Sequence, residues 1–207
     1  MSECTEERFL RDVAQHELTI VRDDGVNRHL RFQEPGYYTM HFDLITWPGY
    51  LCYTGDMGTY VFRRLKDMFE FFRTEGLRIN PGYWGEKLEA VDSCDGYRQW
   101  SQDKFRQRIR EDFDDWLKDS GLPEEQQAAA TEQFESDVIS AIGDGKEAAY
   151  LAARDFEFAG RSPFSDWWEV DTDDYSFRFL WCCYALAWGV QQYDEYQLIS
   201  GLGLQMA

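Results

Sequence analysis

Apolar residues in the first third of the chain alternate with polar ones over short runs broken by turn residues. In the second half they recur every three or four positions. Around residues 5–16, Phe9, Leu10 and Val13 form an apolar stripe, Thr5 suits an N-cap, and Glu6 and Glu7 suit the first turn, so a helix is expected there. Glu17–Arg22 and Val26–Phe32 flank Asp23-Asp24-Gly25, a hairpin signal. Tyr38–Trp47 and Tyr50–Thr54 flank Pro48-Gly49, a second one. Tyr60–Phe62 reads either as a short strand or as the start of a helix running to about Phe72. The segment from Asn80 to Gly96, rich in Gly, Pro and Asp, reads as a long irregular connection.

Beyond it the pattern is helical. Phe105, Ile109, Phe113, Trp116 and Leu117 mark a helix within Tyr97–Asp119. Gly121 and Pro123 interrupt the chain. Phe134, Val138 and Ile142 share one face of a helix expected over Glu124–Ile142, which Gly143 can end. Asp144 and Glu147 have the spacing of a capping box for a helix to about Phe158. Asp171-Thr172-Asp173-Asp174 is expected to cap a last helix over Tyr175–Tyr196. Its Phe177–Val190 section is apolar nearly all round and is expected to join both halves in one core. The fold class is therefore α+β, a small antiparallel sheet near the N-terminus packed against a mainly helical C-terminal half. It is expected as a single domain over 1–207, with helix and hairpins in 1–75 and acidic helices in 97–207.

Charge sharpens this picture. The 207 residues carry 21 Lys+Arg and 39 Asp+Glu, a formal net charge of −18. Residues 111–175 hold 19 acidic and 4 basic residues, net −15, whereas residues 1–110 hold 18 and 16, net −2. With 17% aromatic residues the chain can build a core, unlike a disordered acidic tail. Direct binding to phosphate backbones or to an anionic membrane is disfavoured, because both need excess Lys and Arg. The acidic start of the chain is unlike a secretory leader, and the longest apolar run contains Arg178, so a cytoplasmic location is expected. The five cysteines, Cys4, Cys52, Cys94, Cys182 and Cys183, are odd in number and lack CxxC spacing. They read as free thiols rather than a disulfide framework or zinc site.

Two groups of residues invite a chemical reading. If Pro48-Gly49 is the turn of the second hairpin, Trp47 pairs with Tyr50, Ile45 with Cys52 and Asp43 with Thr54, and His41 faces Asp56. One face then carries Met40, Phe42, Leu44, Leu51 and Tyr53. The other carries His41, Asp43, Cys52, Thr54 and Asp56; the default is the solvated face of a half-buried sheet, and the alternatives are a thiol nucleophile with a base and a metal site. Neither His16 nor His29 has a ligand-spaced partner, and both read as structural; no metal site and no cofactor is expected.

The second group is acidic: Glu111, Asp112, Asp114, Asp115 and Asp119 on one helix, Glu124, Glu125, Glu132, Glu135 and Asp137 on the next. Carboxylates on adjacent helical turns stand roughly 5–6 Å apart. That is comparable with DNA phosphates along a strand, about 3.4 Å of axial rise plus lateral displacement. A face of this kind is either a solvated helical surface or suits a basic nucleic-acid-binding protein as partner, and Trp167-Trp168 reads either as core packing or as an interface anchor.

The segment His41-Phe42-Asp43-Leu44-Ile45-Thr46-Trp47-Pro48-Gly49-Tyr50-Leu51-Cys52-Tyr53-Thr54-Gly55-Asp56-Met57-Gly58-Thr59-Tyr60-Val61-Phe62, and the aromatic stretch Phe177–Tyr193, resemble uncharacterised small acidic proteins of bacteriophages and prophages. The resemblance covers under a fifth of the chain and carries no catalytic residues with it. It implies a phage-derived accessory protein of the host cytoplasm. The acidic helices then suggest an anti-restriction or anti-CRISPR inhibitor that imitates DNA in the basic channel of a defence nuclease or CRISPR complex. The alternatives are an enzyme using His41, Asp43 and Cys52, and an oligomeric interaction module using exposed aromatics.

Overall fold

The computed structural model describes residues 4–94, 96–164 and 166–201. The chain forms two compact units, Met1–Arg98 with Tyr175–Ala207, and Gln99–Asp174. The α+β class holds: the strands of the main sheet lie in the N-terminal half and the long helices in the C-terminal half.

The first unit opens with α1 (Glu6–Asp12), where the Thr5 hydroxyl accepts a hydrogen bond from the Arg8 N–H at 3.2 Å as the expected N-cap. Then comes an antiparallel meander of β1 (Glu17–Asp24), β2 (Asn27–Gln33), β3 (Phe42–Trp47), β4 (Tyr50–Gly55), β5 (Gly58–Arg63) and β6 (Leu88–Ala90), paired in chain order. The second hairpin has the expected register, with Trp47 opposite Tyr50, Ile45 opposite Cys52 and Asp43 opposite Thr54. In the first hairpin the strands run further than expected: Asp24 pairs with Asn27 and the turn lies at 25–26. Asp23 pairs with Arg28 in this extension, and its carboxylate accepts hydrogen bonds from Tyr193 and Gln197.

The stretch expected to be irregular contains α3 (Pro81–Gly85), capped by Asn80, as well as β6. Before it, α2 (Met68–Phe72) is capped by Asp67. One sheet face is fully buried through Leu30, Phe32, Phe42, Leu44, Leu51, Tyr53, Tyr60 and Phe62. Against it lies α7 (Phe177–Gly201), whose buried side chains include Trp181, Leu186 and Val190. At Gly189 a Cβ would stand 2.7 Å from a Leu44 methyl, so this glycine lets the helix approach the sheet closely. The Asp171–Asp174 run does not cap this helix. The cap is Ser176, whose hydroxyl accepts from the Phe179 N–H at 3.2 Å, while Asp173 lies in β8 (Asp173–Tyr175). The partner of β8 is β7 (Arg98–Trp100).

The second unit has its own core. On α4 (Gln102–Asp119) Phe105, Ile109 and Phe113 point inward, and on α5 (Glu124–Phe134) Ala130 and Phe134 do so. The Phe113 and Phe134 rings stack with centroids 4.0 Å apart. The helix expected to run unbroken to Ile142 leaves α-geometry after Phe134, through a π-turn over Glu135–Ile139 and a 3₁₀ turn over Ser140–Asp144. Val138 and Ile142 still reach the core. Helix α6 (Lys146–Asp155) begins without the expected Asp144 cap, because Gly145 takes φ +107° at the N-cap position and no side chain caps it. All buried residues of α7 belong to the core of the first unit, so this helix does not join the halves in one core. Among the described residues no helix is long and apolar enough to cross a membrane.

Candidate functional site

The first candidate lies on the sheet face opposite the buried one. Alternation along β2 and β3 puts His29, Arg31 and Asp43 on that face, and the β2–β3 register sets Arg31 directly opposite Asp43. Asp43 is only 7% exposed. Its carboxylate accepts from His29 Nε2 at 2.6 Å and from Arg31 Nε and Nη2 at 3.0 and 2.9 Å. Burial alone would raise this carboxyl, but the bonds from Arg31 and His29 outweigh it and hold Asp43 below the ordinary aspartate value.

His41 does not complete the cluster. Its Nδ1–H donates to the Tyr38 carbonyl at 2.6 Å and lies 3.2 Å from Asp56, the residue it was expected to face. Asp56 also accepts the Met40 N–H, fixing the loop before β3. Cys52 Sγ donates to the Tyr53 carbonyl at 3.7 Å. Burial pushes its thiol up, and the Asp43 charge adds to the rise. An activated nucleophile needs the opposite shift. Among the described residues His41 makes no hydrogen bond to Asp43 or Cys52, so the three expected residues are not assembled into a nucleophile and its base. The residue that does meet Asp43 is His29, for which the sequence shows no ligand-spaced partner. Its alternation with Arg31 was the available signal, but the 34–41 connection hid the register.

This arrangement has a pH consequence. A carboxylate whose folded pKa lies below its unfolded value stabilises the fold above the unfolded pKa, and that contribution is lost as pH falls through the folded one. Asp67, held down by Arg28, acts in the same direction. Unfolding by urea followed from about pH 5 down to about pH 2 should show stability falling. Asp43→Asn should be less stable at neutral pH and lose less across that window. An Asp43→Asn profile parallel to that of the unmodified chain would contradict this role.

The second candidate is the acidic surface of the second unit. Gln99–Asp174 carries 20 acidic and 8 basic residues, net −12. On α4 the inward positions Phe105, Ile109 and Phe113 leave Glu111, Asp114, Asp115 and Asp119 exposed on other sides of the helix. Exposed on and after α5 are Glu124, Glu125, Glu132 and Asp137. The two helices touch, through the Phe113–Phe134 stack and an ion pair of Arg110 with Glu135.

Part of the expected set is matched internally. Arg108 lies 3.6 Å from Glu111 and 3.5 Å from Asp112, and Lys118 lies 2.8 Å from Asp115. Asp112 also accepts from Trp167 Nε1 at 2.8 Å, and Trp167 is buried, so these two are structural rather than free to meet a partner. Asp114, Asp119, Glu124, Glu125, Glu132 and Asp137 make no salt bridge among the described residues, although Lys118 feels the charge of Asp114 and Asp119. Trp168, unlike its neighbour, is 59% exposed.

Among the described residues no group of three or more His, Cys, Asp or Glu is placed to hold a metal ion. The five cysteines are free, and burial raises the thiols of Cys4, Cys182 and Cys183. No family model, no curated protein and no solved structure matches the chain.

Proposed function

We propose that the chain is a non-enzymatic inhibitor, phage- or prophage-derived, that sets the carboxylates of α4 and α5 into the basic nucleic-acid channel of a bacterial defence nuclease or CRISPR complex. It acts in the host cytoplasm by steric and electrostatic occlusion, with the carboxylates standing in for phosphates. The observation that carries this reading is the group of six exposed carboxylates, Asp114, Asp119, Glu124, Glu125, Glu132 and Asp137. They lie on two touching helical segments and have no salt bridge among the described residues. Concentrated like charge lowers the stability of an isolated fold. In return it gives fast, salt-sensitive association with a basic partner. The commitment of buried Asp43 to His29 and Arg31, and the raised Cys52 thiol, weigh against the enzymatic alternative.

The experiment is capture from bacterial lysate with the tagged chain. At low salt it should retain a nucleic-acid-binding protein, release it at high salt, and lose it to added duplex DNA. Retention that neither salt nor DNA disturbs would overturn the reading.

A further inference from the structure

We propose that a cavity beside Trp168 receives one apolar side chain of a partner protein, presented between basic residues. This rests on the docking reading above and adds the chemistry of its anchor. The cavity, about 290 Å³, is lined by Tyr150, Leu151 and Arg154 of α6 and by Phe164, Trp167 and Trp168. Its floor is set by the core. Phe164 is 1% and Trp167 5% exposed, and Trp167 is fixed by its hydrogen bond to Asp112 and by an edge contact with Phe105 at 4.6 Å. Its walls are open, with Leu151 48% and Trp168 59% exposed. A rigid floor under exposed apolar walls can bury an incoming group without first rearranging.

Size and charge select the occupant. Cofactor and drug-like pockets run about 300–1,000 Å³, so this cavity lies at the small end of that range, a size that suits one large apolar side chain. Arg154 contributes no net cation, because its guanidinium is held by Asp155 at 2.7 and 3.1 Å. Neighbouring the lining residues along the chain are Glu147, one turn before Leu151 on α6, and Asp166 and Glu169, which flank the tryptophan pair. All three are exposed and make no salt bridge among the described residues. An apolar group between carboxylates would be repelled here; one between lysines or arginines is drawn in. Buried aromatic anchors of this kind carry much of an interface's energy.

The test uses three capped peptides: Lys-Lys-Phe-Lys-Lys, the same with Ala for Phe, and Glu-Glu-Phe-Glu-Glu. Their binding is followed through the indole N–H resonance of Trp168, assigned by loss in Trp168→Phe. The basic Phe peptide should shift that resonance and bind about tenfold more tightly than the Ala peptide, while the acidic one should not bind. Trp168→Ala and Leu151→Ser, titrated with the same peptides by calorimetry, should each erase the Phe-over-Ala preference. Equal binding of the two basic peptides, or an unmoved Trp168 resonance, would overturn the inference. Neutralising the six α4–α5 carboxylates separates the two ideas. If both basic peptides bind in a salt- and carboxylate-dependent way but equally, the anchor fails and the docking reading stands. If the Phe preference persists and the carboxylates prove irrelevant, the docking reading fails and the anchor stands.

Discussion

Asp67→Ala should destabilise the first unit by about 3 kcal/mol, the lower end of the cost of leaving one partner of a buried ion pair uncompensated, since this pair is largely but not fully buried. The Arg28 side chain is 10% exposed, and its guanidinium grips Asp67 with two hydrogen bonds of 2.9 and 2.8 Å. It lies over the Phe69 and Tyr193 rings at 4.6 and 5.2 Å, so little water can replace the lost carboxylate. Asp67 Oδ1 also accepts the Phe69 N–H at 3.0 Å, so alanine additionally removes the cap of α2, worth about 1 kcal/mol. Asp67→Asn keeps a capping oxygen and should cost less. Pairing it with Arg28→Met should recover much of the loss, because both charges then leave together. Urea unfolding followed by circular dichroism measures all three. Equal destabilisation by Asp67→Asn and by the double variant would show that the charge pair is not what Asp67 supports.

The parts of this molecule that were legible in the sequence are those fixed by local chemistry. Pro48-Gly49 sets a turn, the turn sets the register, and the register puts Leu44, Leu51 and Tyr53 in the core and Asp43 and Cys52 on the other face. Thr5 at the start of α1 is equally local. The β2–β3 pairing was not legible: Pro35-Gly36 marks a turn, but the connection over 34–41 is too long for that turn to fix a register, and the His29–Asp43 contact depends on that register. Asn80-Pro81, an N-cap followed by a first-turn proline, marked α3, but the surrounding glycines masked it.

The two-core organisation was hidden for a different reason. The first unit is discontinuous, resuming at Tyr175 after the whole of the second, and no periodicity records which distant segment an apolar helix will cover. The same holds for the acidic helices. Their charge was plain, whereas the withdrawal of Asp112 and Trp167 into a mutual hydrogen bond depends on residues 55 positions apart.

The largest effect on binding is expected from replacing Asp114, Asp119 and Asp137 by Asn together with Glu124, Glu125 and Glu132 by Gln. Exposed charge pairs contribute about 0.2–1 kcal/mol each, so six together give roughly 3 kcal/mol, or about 100-fold in affinity. The fold should survive, since none of the six makes a salt bridge among the described residues and their removal relieves repulsion. An unchanged circular dichroism spectrum checks this. The most direct measurement is the affinity of both chains for the captured nucleic-acid-binding protein across a salt series. The account predicts a steep fall with salt for the unmodified chain, and for the amide variant about 100-fold weaker low-salt binding with a flattened slope. Equal affinities and equal slopes would contradict it.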